Sequence, residues 1–231
     1  MSRRILAVPS GPDDPVLDVG SGTGIFTRQL AGHLPGVPVI GVEPAEAMRD
    51  KASRTEGPAN IRYETGFAEK LPFPEAGVRA VVSATAAHWF DRPGHYAEAA
   101  RVLATGGILA VVQYVRDAER SPAAAAIEDF LAENGGERVY ARPDYKAELE
   151  TLDPFGPVDA TYDSVTLQLS IPDFAGLALS SSHARPVVAR LGQEGAENAL
   201  AEVGAGLVGA NGTIPYGFRF EMFIVERIGR G

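Results

Sequence analysis

The stretch Pro15-Val16-Leu17-Asp18-Val19-Gly20-Ser21-Gly22-Thr23-Gly24 constrains this chain more than any other. A short apolar run meets an acid and then breaks into three glycines at alternate positions. Residues 25–34 follow, with Phe26, Leu30 and Leu34 on one helical face. The order is strand, tight turn, helix. Glycine permits backbone angles and close approaches that a side chain blocks. The N-terminus of the new helix offers unpaired N–H groups to a polar or anionic ligand.

Two familiar ligands of such a turn fail on detail. A triphosphate-binding loop needs Lys-Ser/Thr after its last glycine, and Ile25-Phe26 stands there instead. A dinucleotide fingerprint reads G-x-G-x-x-G, whereas Gly20, Gly22 and Gly24 are evenly spaced and Asp18 precedes them. A glycine turn that holds no ligand is the plain alternative, because such turns recur across α/β proteins.

The alternation continues downstream. Residues 37–42 read as a second strand ending at Glu43-Pro44, followed by a helix over about 45–54. A short strand at 61–64, a turn at Leu71-Pro72-Phe73-Pro74 and a buried-type strand at 78–84 come next. A helix over 94–104 leads through Thr105-Gly106-Gly107 into a strand at 108–114. The first fourteen residues show little pattern, and Pro9, Gly11, Pro12 and Asp13-Asp14 read as loop. Beyond Tyr114 the regularity fades: helices are expected at 122–133, 146–152, 174–182, 186–191 and 196–203. Strands are expected at 162–171, where Val165, Leu167, Leu169 and Ile171 alternate, and at 216–225. Gly204, Gly206, Gly209 and Gly212 break the chain before that last strand. Strands alternating with helices predict a mainly parallel sheet covered on both faces.

At 231 residues, one α/β domain with a sizeable core is expected. A formal net charge of -9, with no long Arg/Lys run, argues against a nucleic-acid partner. The chain has no cysteine, which removes disulfides and thiolate metal sites, and no His/Asp/Glu grouping has metal spacing. No apolar run approaches the roughly 18 residues of a membrane span, and 5–8 is too short for a signal peptide. The expectation is a cytoplasmic protein with no membrane, metal or nucleic-acid partner. Three Lys against eighteen Arg, with abundant Ala and Gly, is the composition of a GC-rich bacterial gene.

The glycine spacing and the leading Asp18 resemble motif I of the class I S-adenosylmethionine-dependent methyltransferases. Gly66-Phe67-Ala68-Glu69-Lys70-Leu71-Pro72-Phe73 is similar to that family's Gly-Asp-Ala-Glu-x-Leu-Pro-Phe, with Phe67 in place of the acid. Arg101-Val102-Leu103-Ala104-Thr105-Gly106-Gly107 resembles its helix-turn-strand segment. The resemblance covers about 16–112. It implies a Rossmann-like, doubly wound, mainly parallel seven-stranded sheet with a helical cap inserted before the last strand. A cofactor-binding core over about 12–116 and a C-terminal part over 117–231 would then form a single domain. The implied cofactor is S-adenosyl-L-methionine and the implied partner a small-molecule methyl acceptor, with the oligomeric state left open.

The resemblance also assigns residues. Asp18, Gly20, Gly22, Thr23 and Gly24 would form the turn around the methionine end of the cofactor. Glu43, past the carboxyl end of strand two, can accept bonds from both ribose hydroxyls; a solvated helix-start acid is the alternative. Met48 would cover an adenine face or fill the core. With Phe67 replacing the acid that meets the adenine amino group, Ala68 backbone, Glu69 or stacking on Phe67 must serve instead. Ser83 lies at the site edge on strand four, ahead of Ala86-Ala87-His88-Trp89-Phe90-Asp91. That run resembles the trans-aconitate methyltransferase branch, which points toward an oxygen acceptor, carboxylate or hydroxyl. His88 would act as a base and Trp89 as an acceptor wall; alternatively both pack beneath the cap. His33 is read as a helix C-cap, His95 as an exposed helix-start residue, and His183 as a cap residue within reach of a substrate. Tyr114, Tyr140, Tyr145, Tyr162 and Tyr216 are pocket or core aromatics. A non-catalytic cofactor binder, a nicotinamide oxidoreductase and a protein or RNA methyltransferase are the rival functions.

Overall fold

The computed structural model describes residues 1–11, 13–135 and 142–229. Tyr140 lies outside them. In chain order the elements are α1 (Ser2–Ala7), β1 (Val16–Val19), α2 (Ile25–Gly32), β2 (Val39–Val42), α3 (Glu46–Arg54), β3 (Ile61–Glu64) and β4 (Val78–Ala84). Then come α4 (Arg92–Val102), β5 (Leu103–Arg116), α5 (Pro122–Gly135), α6 (Tyr145–Glu150) and β6 (Asp159–Leu169). The chain continues through α7 (Ile171–Leu179), α8 (Arg185–Leu191), α9 (Gln193–Ala205) and β7 (Ile214–Glu226).

The strands form one seven-stranded sheet in the order β3-β2-β1-β4-β5-β7-β6. β1 pairs with β2 and β4, β2 with β3, and β4 with β5, all in parallel. The expected fold class is therefore present, and α7 to α9 stand between β6 and β7 as the expected insertion. β1 and β2 are buried at every position, as strands covered on both faces must be.

The chain divides into two compact units. The first comprises Met1–Gln113, Arg142–Thr161 and Met222–Gly231. Its core packs Leu17, Val19, Ile40, Val42, Val81 and Leu109 of the sheet with Tyr96, Ala99 and Val102 of α4. Each such buried aliphatic side chain contributes roughly 1.5–3 kcal/mol. The second unit comprises Tyr114–Ala141 and Tyr162–Glu221, and its helices close on Ile127, Phe130, Phe174, Val187, Leu200 and Tyr216.

Three local readings change. α1, where the sequence shows little pattern, is an addition to them, with only Ile5 fully buried, a helix too short to show a period. The turn expected at 105–107 is a bulge inside β5: Gly106 has φ +80°, and the β4–β5 register slips between Val78↔Leu103 and Ala80↔Ile108. The extra residues are held by Gly106 N–H donating to Arg227 O and Arg227 N–H donating to Gly107 O. Gly204 does not break the chain but belongs to α9, where a Cβ would stand 3.1 Å from Phe174. The strand expected at 162–171 is β6, which ends at Leu169, with Ile171 opening α7; the alternation in sequence is not matched by a buried face, since Val165 and Leu167 are both exposed.

Candidate functional site

β1 ends at Val19, and the three glycines after it all take left-handed φ: Gly20 +74°, Gly22 +54° and Gly24 +76°. L-residues rarely adopt that region, so the spacing is a backbone requirement. The surroundings separate the three. A Cβ on Gly20 would stand 2.6 Å from the Ala86 Cβ, and one on Gly24 2.2 Å from the Tyr63 hydroxyl. A Cβ on Gly22 meets nothing nearer than the Met48 sulfur at 3.8 Å. The protein's own packing accounts for two glycines; the third opens on free space.

Glu43 follows β2 and is buried beside that space. Its Oε2 accepts from Gly22 N–H and its Oε1 from Ala45 N–H, both at 3.0 Å. A carboxylate has about four lone-pair sites, so acceptor capacity for a diol remains. The open glycine and this carboxylate together fit the ribose end of a nucleoside cofactor. Arg49 donates to the carbonyls of Glu43 and Pro44 at 2.7 Å, fixing the start of α3.

Asp18 is buried one strand inward, where its Oδ2 accepts from the Thr27 hydroxyl at 2.6 Å and ties β1 to α2. Burial pushes its carboxyl up to about 7; the Thr27 bond opposes this and the nearby Glu43 adds to it. The folded value exceeds the unfolded one, so the protonated acid favours the fold. That contribution is complete below the ordinary carboxylate range and disappears as pH rises through about 7. Asp18→Asn should therefore lose less thermal midpoint than the parent between about pH 5 and about pH 8. Parallel midpoint curves would show that Asp18 is ionised throughout.

Each of the first four strands is followed by a large, exposed apolar side chain: Ile25 (63%), Met48 (46%), Phe67 (63%) and Trp89 (67%). Exposed apolar groups collected at the carboxyl ends of parallel strands mark a ligand-binding edge. Thr23 is half-buried in the glycine turn. Ala68 is buried; Glu69 is half-buried and its Oε1 accepts from Asp91 N–H at 2.9 Å. His88 and Trp89 lie on a 3-10 turn after β4, with ring centroids 4.9 Å apart. Ser83 is fully buried, and its hydroxyl lies 3.4 Å from His95 Nε2.

His95 corrects the sequence reading: it is fully buried, not exposed, because it sits on the inner face of α4 between Phe90 and Tyr96. Thr85, at φ +55° just past β4, is a site-edge residue with no sequence signal, since a β-branched residue does not announce a left-handed backbone. His33 is the C-cap of α2. Tyr145 and Tyr216 are core residues, whereas Tyr114 and Tyr162 are exposed. Among the described residues, no three His, Cys, Asp or Glu side chains gather as a metal site. None of the described helices is long and apolar enough to cross a membrane.

Comparison with known proteins decides which family the chain belongs to. A family model described as a methyltransferase domain matches residues 16–107. The trans-aconitate 2-methyltransferase of Deinococcus radiodurans is 33% identical over 180 residues, covering 74% of this chain and 68% of that protein. The chain belongs to the class I S-adenosylmethionine-dependent methyltransferases. The biotin biosynthesis bifunctional protein of Cellvibrio japonicus is 42% identical over 93 residues, which is 40% of this chain and 18% of that one. Across the first curated relatives the chain covers less than half of their length. Among solved structures, one titled "Putative Type II Methyltransferase", from Anaeromyxobacter dehalogenans, superposes with a TM-score of 0.71. The match has 24% identity and covers 99% of this chain and 96% of that one, a likeness of fold.

Proposed function

We propose that this chain transfers a methyl group from S-adenosyl-L-methionine to an oxygen atom, carboxylate or hydroxyl, of a small-molecule acceptor. The observation that carries the reading is Gly22, the one glycine of the turn that opens on free space, with the Glu43 carboxylate beside it. When bound, the cofactor supplies an electrophilic methyl on a sulfonium sulfur. Thr23 and the backbone of Gly20, Gly22 and Gly24 orient its methionine end, while Asp18 acts one step back by fixing α2 through Thr27. Glu43 holds the ribose hydroxyls. Met48 and Phe67 cover the adenine, Ala68 and Glu69 meet its edge, and Ser83 supports the strand end beneath.

The acceptor lies against Trp89. β4 is hydrogen-bonded to β1, with Val82 opposite Asp18, so the turn bearing His88 and Trp89 follows the strand next to the glycine turn. Neighbouring strands are about 4.8 Å apart, within reach of a transferable methyl. Holding both reactants in line can remove roughly 7–11 kcal/mol of barrier. His88 takes the proton of a hydroxyl acceptor; a carboxylate acceptor has none to give. The net charge of -9 favours a small acceptor over a polyphosphate chain, and a cytoplasmic setting is part of the proposal.

His88→Ala and Trp89→Ala should lower kcat or raise acceptor KM while S-adenosylhomocysteine affinity stays within about threefold. If His88 is the base, the rising limb of the pH–rate profile should vanish in its variant. Matching losses of cofactor affinity and turnover would put both residues in the cofactor pocket. The defining experiment is mass spectrometry for a co-purified cofactor, followed by a methylation screen against a metabolite extract. Cofactor without any methylated product would mark a binder, and label in protein alone would mark a protein acceptor.

A further inference from the structure

α4 grips the segment that follows β3 at several points. Glu98 Oε1 accepts from Leu71 N–H at 2.7 Å, and Arg101 Nη2 donates to the carbonyls of Leu71 and Phe73 at 3.2 and 3.0 Å. The deepest of these contacts is His95. Its Nδ1 lies 3.1 Å from Ala68 O, and its Nε2 lies 3.4 Å from Ser83 Oγ. A carbonyl only accepts, so Nδ1 must carry the proton, and the bare Nε2 accepts from the Ser83 hydroxyl. One imidazole thus spans two segments of the proposed cofactor edge, the residue after β3 and the end of β4.

We infer that His95 is a positioning residue for cofactor binding, which it serves by donating Nδ1–H to Ala68 O and accepting from Ser83. The inference rests on the assignment of this edge to S-adenosyl-L-methionine. Ala68 is the backbone next to Phe67, whose side chain is 63% exposed and whose carbonyl accepts from Lys70 N–H at 3.1 Å. The Lys70 bond closes this turn on itself, and the His95 bond ties it to α4. Burial pushes His95 below its ordinary value, against the Ala68 bond and the Glu69 and Glu98 carboxylates. The neutral ring that the two hydrogen bonds require is therefore the form present near pH 7.

Two conservative variants separate positioning from packing, because asparagine places its amide nitrogen where Nδ1 was and glutamine where Nε2 was. By calorimetry on the full chain, His95→Asn should keep S-adenosylhomocysteine affinity within about threefold, and His95→Gln should lose tenfold or more. Equal affinities in the two folded variants would overturn the inference. A measurement on the parent protein covers the case in which a variant does not fold. The chain has four histidines, so imidazole nitrogen resonances can be resolved. His95 should show the Nδ1–H tautomer and shift on saturation with S-adenosylhomocysteine. The Nε2–H tautomer, or no shift on saturation, would overturn the inference while leaving the cofactor assignment standing. A parent protein that takes up no S-adenosylhomocysteine would overturn both.

Discussion

Gly22→Val should abolish measurable binding of S-adenosylhomocysteine in a protein that still folds. The argument depends on what surrounds each glycine. At Gly20 and Gly24 an added Cβ collides with Ala86 or Tyr63, so substitution there disturbs the protein itself. At Gly22 the nearest atom to an added Cβ is 3.8 Å away, which is ordinary contact, so the Cβ itself displaces nothing in the folded chain. The left-handed φ of +54° adds a strain of about 1–3 kcal/mol, which a stable domain can carry. What valine removes is the space itself, since its two methyls enter the volume proposed for the cofactor. Circular dichroism and a thermal melt check the fold, and calorimetry checks affinity. A well-folded Gly22→Val protein with parental affinity would show that the ligand lies elsewhere.

Glu43→Ala should weaken the same binding by roughly 10–150-fold, because losing a hydrogen bond to a charged group costs about 1.5–3 kcal/mol. Some of that loss comes through the turn. Glu43 also accepts from Gly22 and Ala45 N–H, so alanine releases two backbone donors as well as any ribose contact. Glu43→Gln divides the effects, for it keeps one carbonyl oxygen and the side-chain volume while giving up the charge. An intermediate loss is expected. Parental affinity in a folded Glu43→Ala protein would remove Glu43 from the site.

The glycine turn was legible because its conformation excludes other residues. Gly20, Gly22 and Gly24 all carry positive φ, and the pattern in the sequence is a direct image of that constraint. Glu43 was legible from its place at the end of a strand beside that turn. His95 was not: a lone histidine in the first turns of a helix reads as solvated, and only the packing of α4 on the sheet buries it. The pairing partners of Asp18 and Ser83 were equally hidden, because Thr27 and His95 are related to them by turns whose path the sequence does not specify. Helices such as α5, α7 and α9 announced themselves by period, within a few residues at their ends. The bulge at Gly106 did not, since a turn and a bulge make the same demand on glycine.

The order of the sheet also governs how the chain is made. β7, the last strand described, lies between β5 and β6, so β5 lacks its second neighbour and β6 its neighbour in the sheet until β7 has been synthesised. On the ribosome, β1 to β5 can pair as they emerge, which assembles the glycine turn and the strand ends around it first. Until then β5 presents an open row of N–H and C=O groups over fourteen residues, a template for another chain. A nascent or truncated chain stopped before Ile214 carries that open edge with it. The place of β7 in the sheet thus leaves the β5 edge open for the whole time that the residues between them are being made.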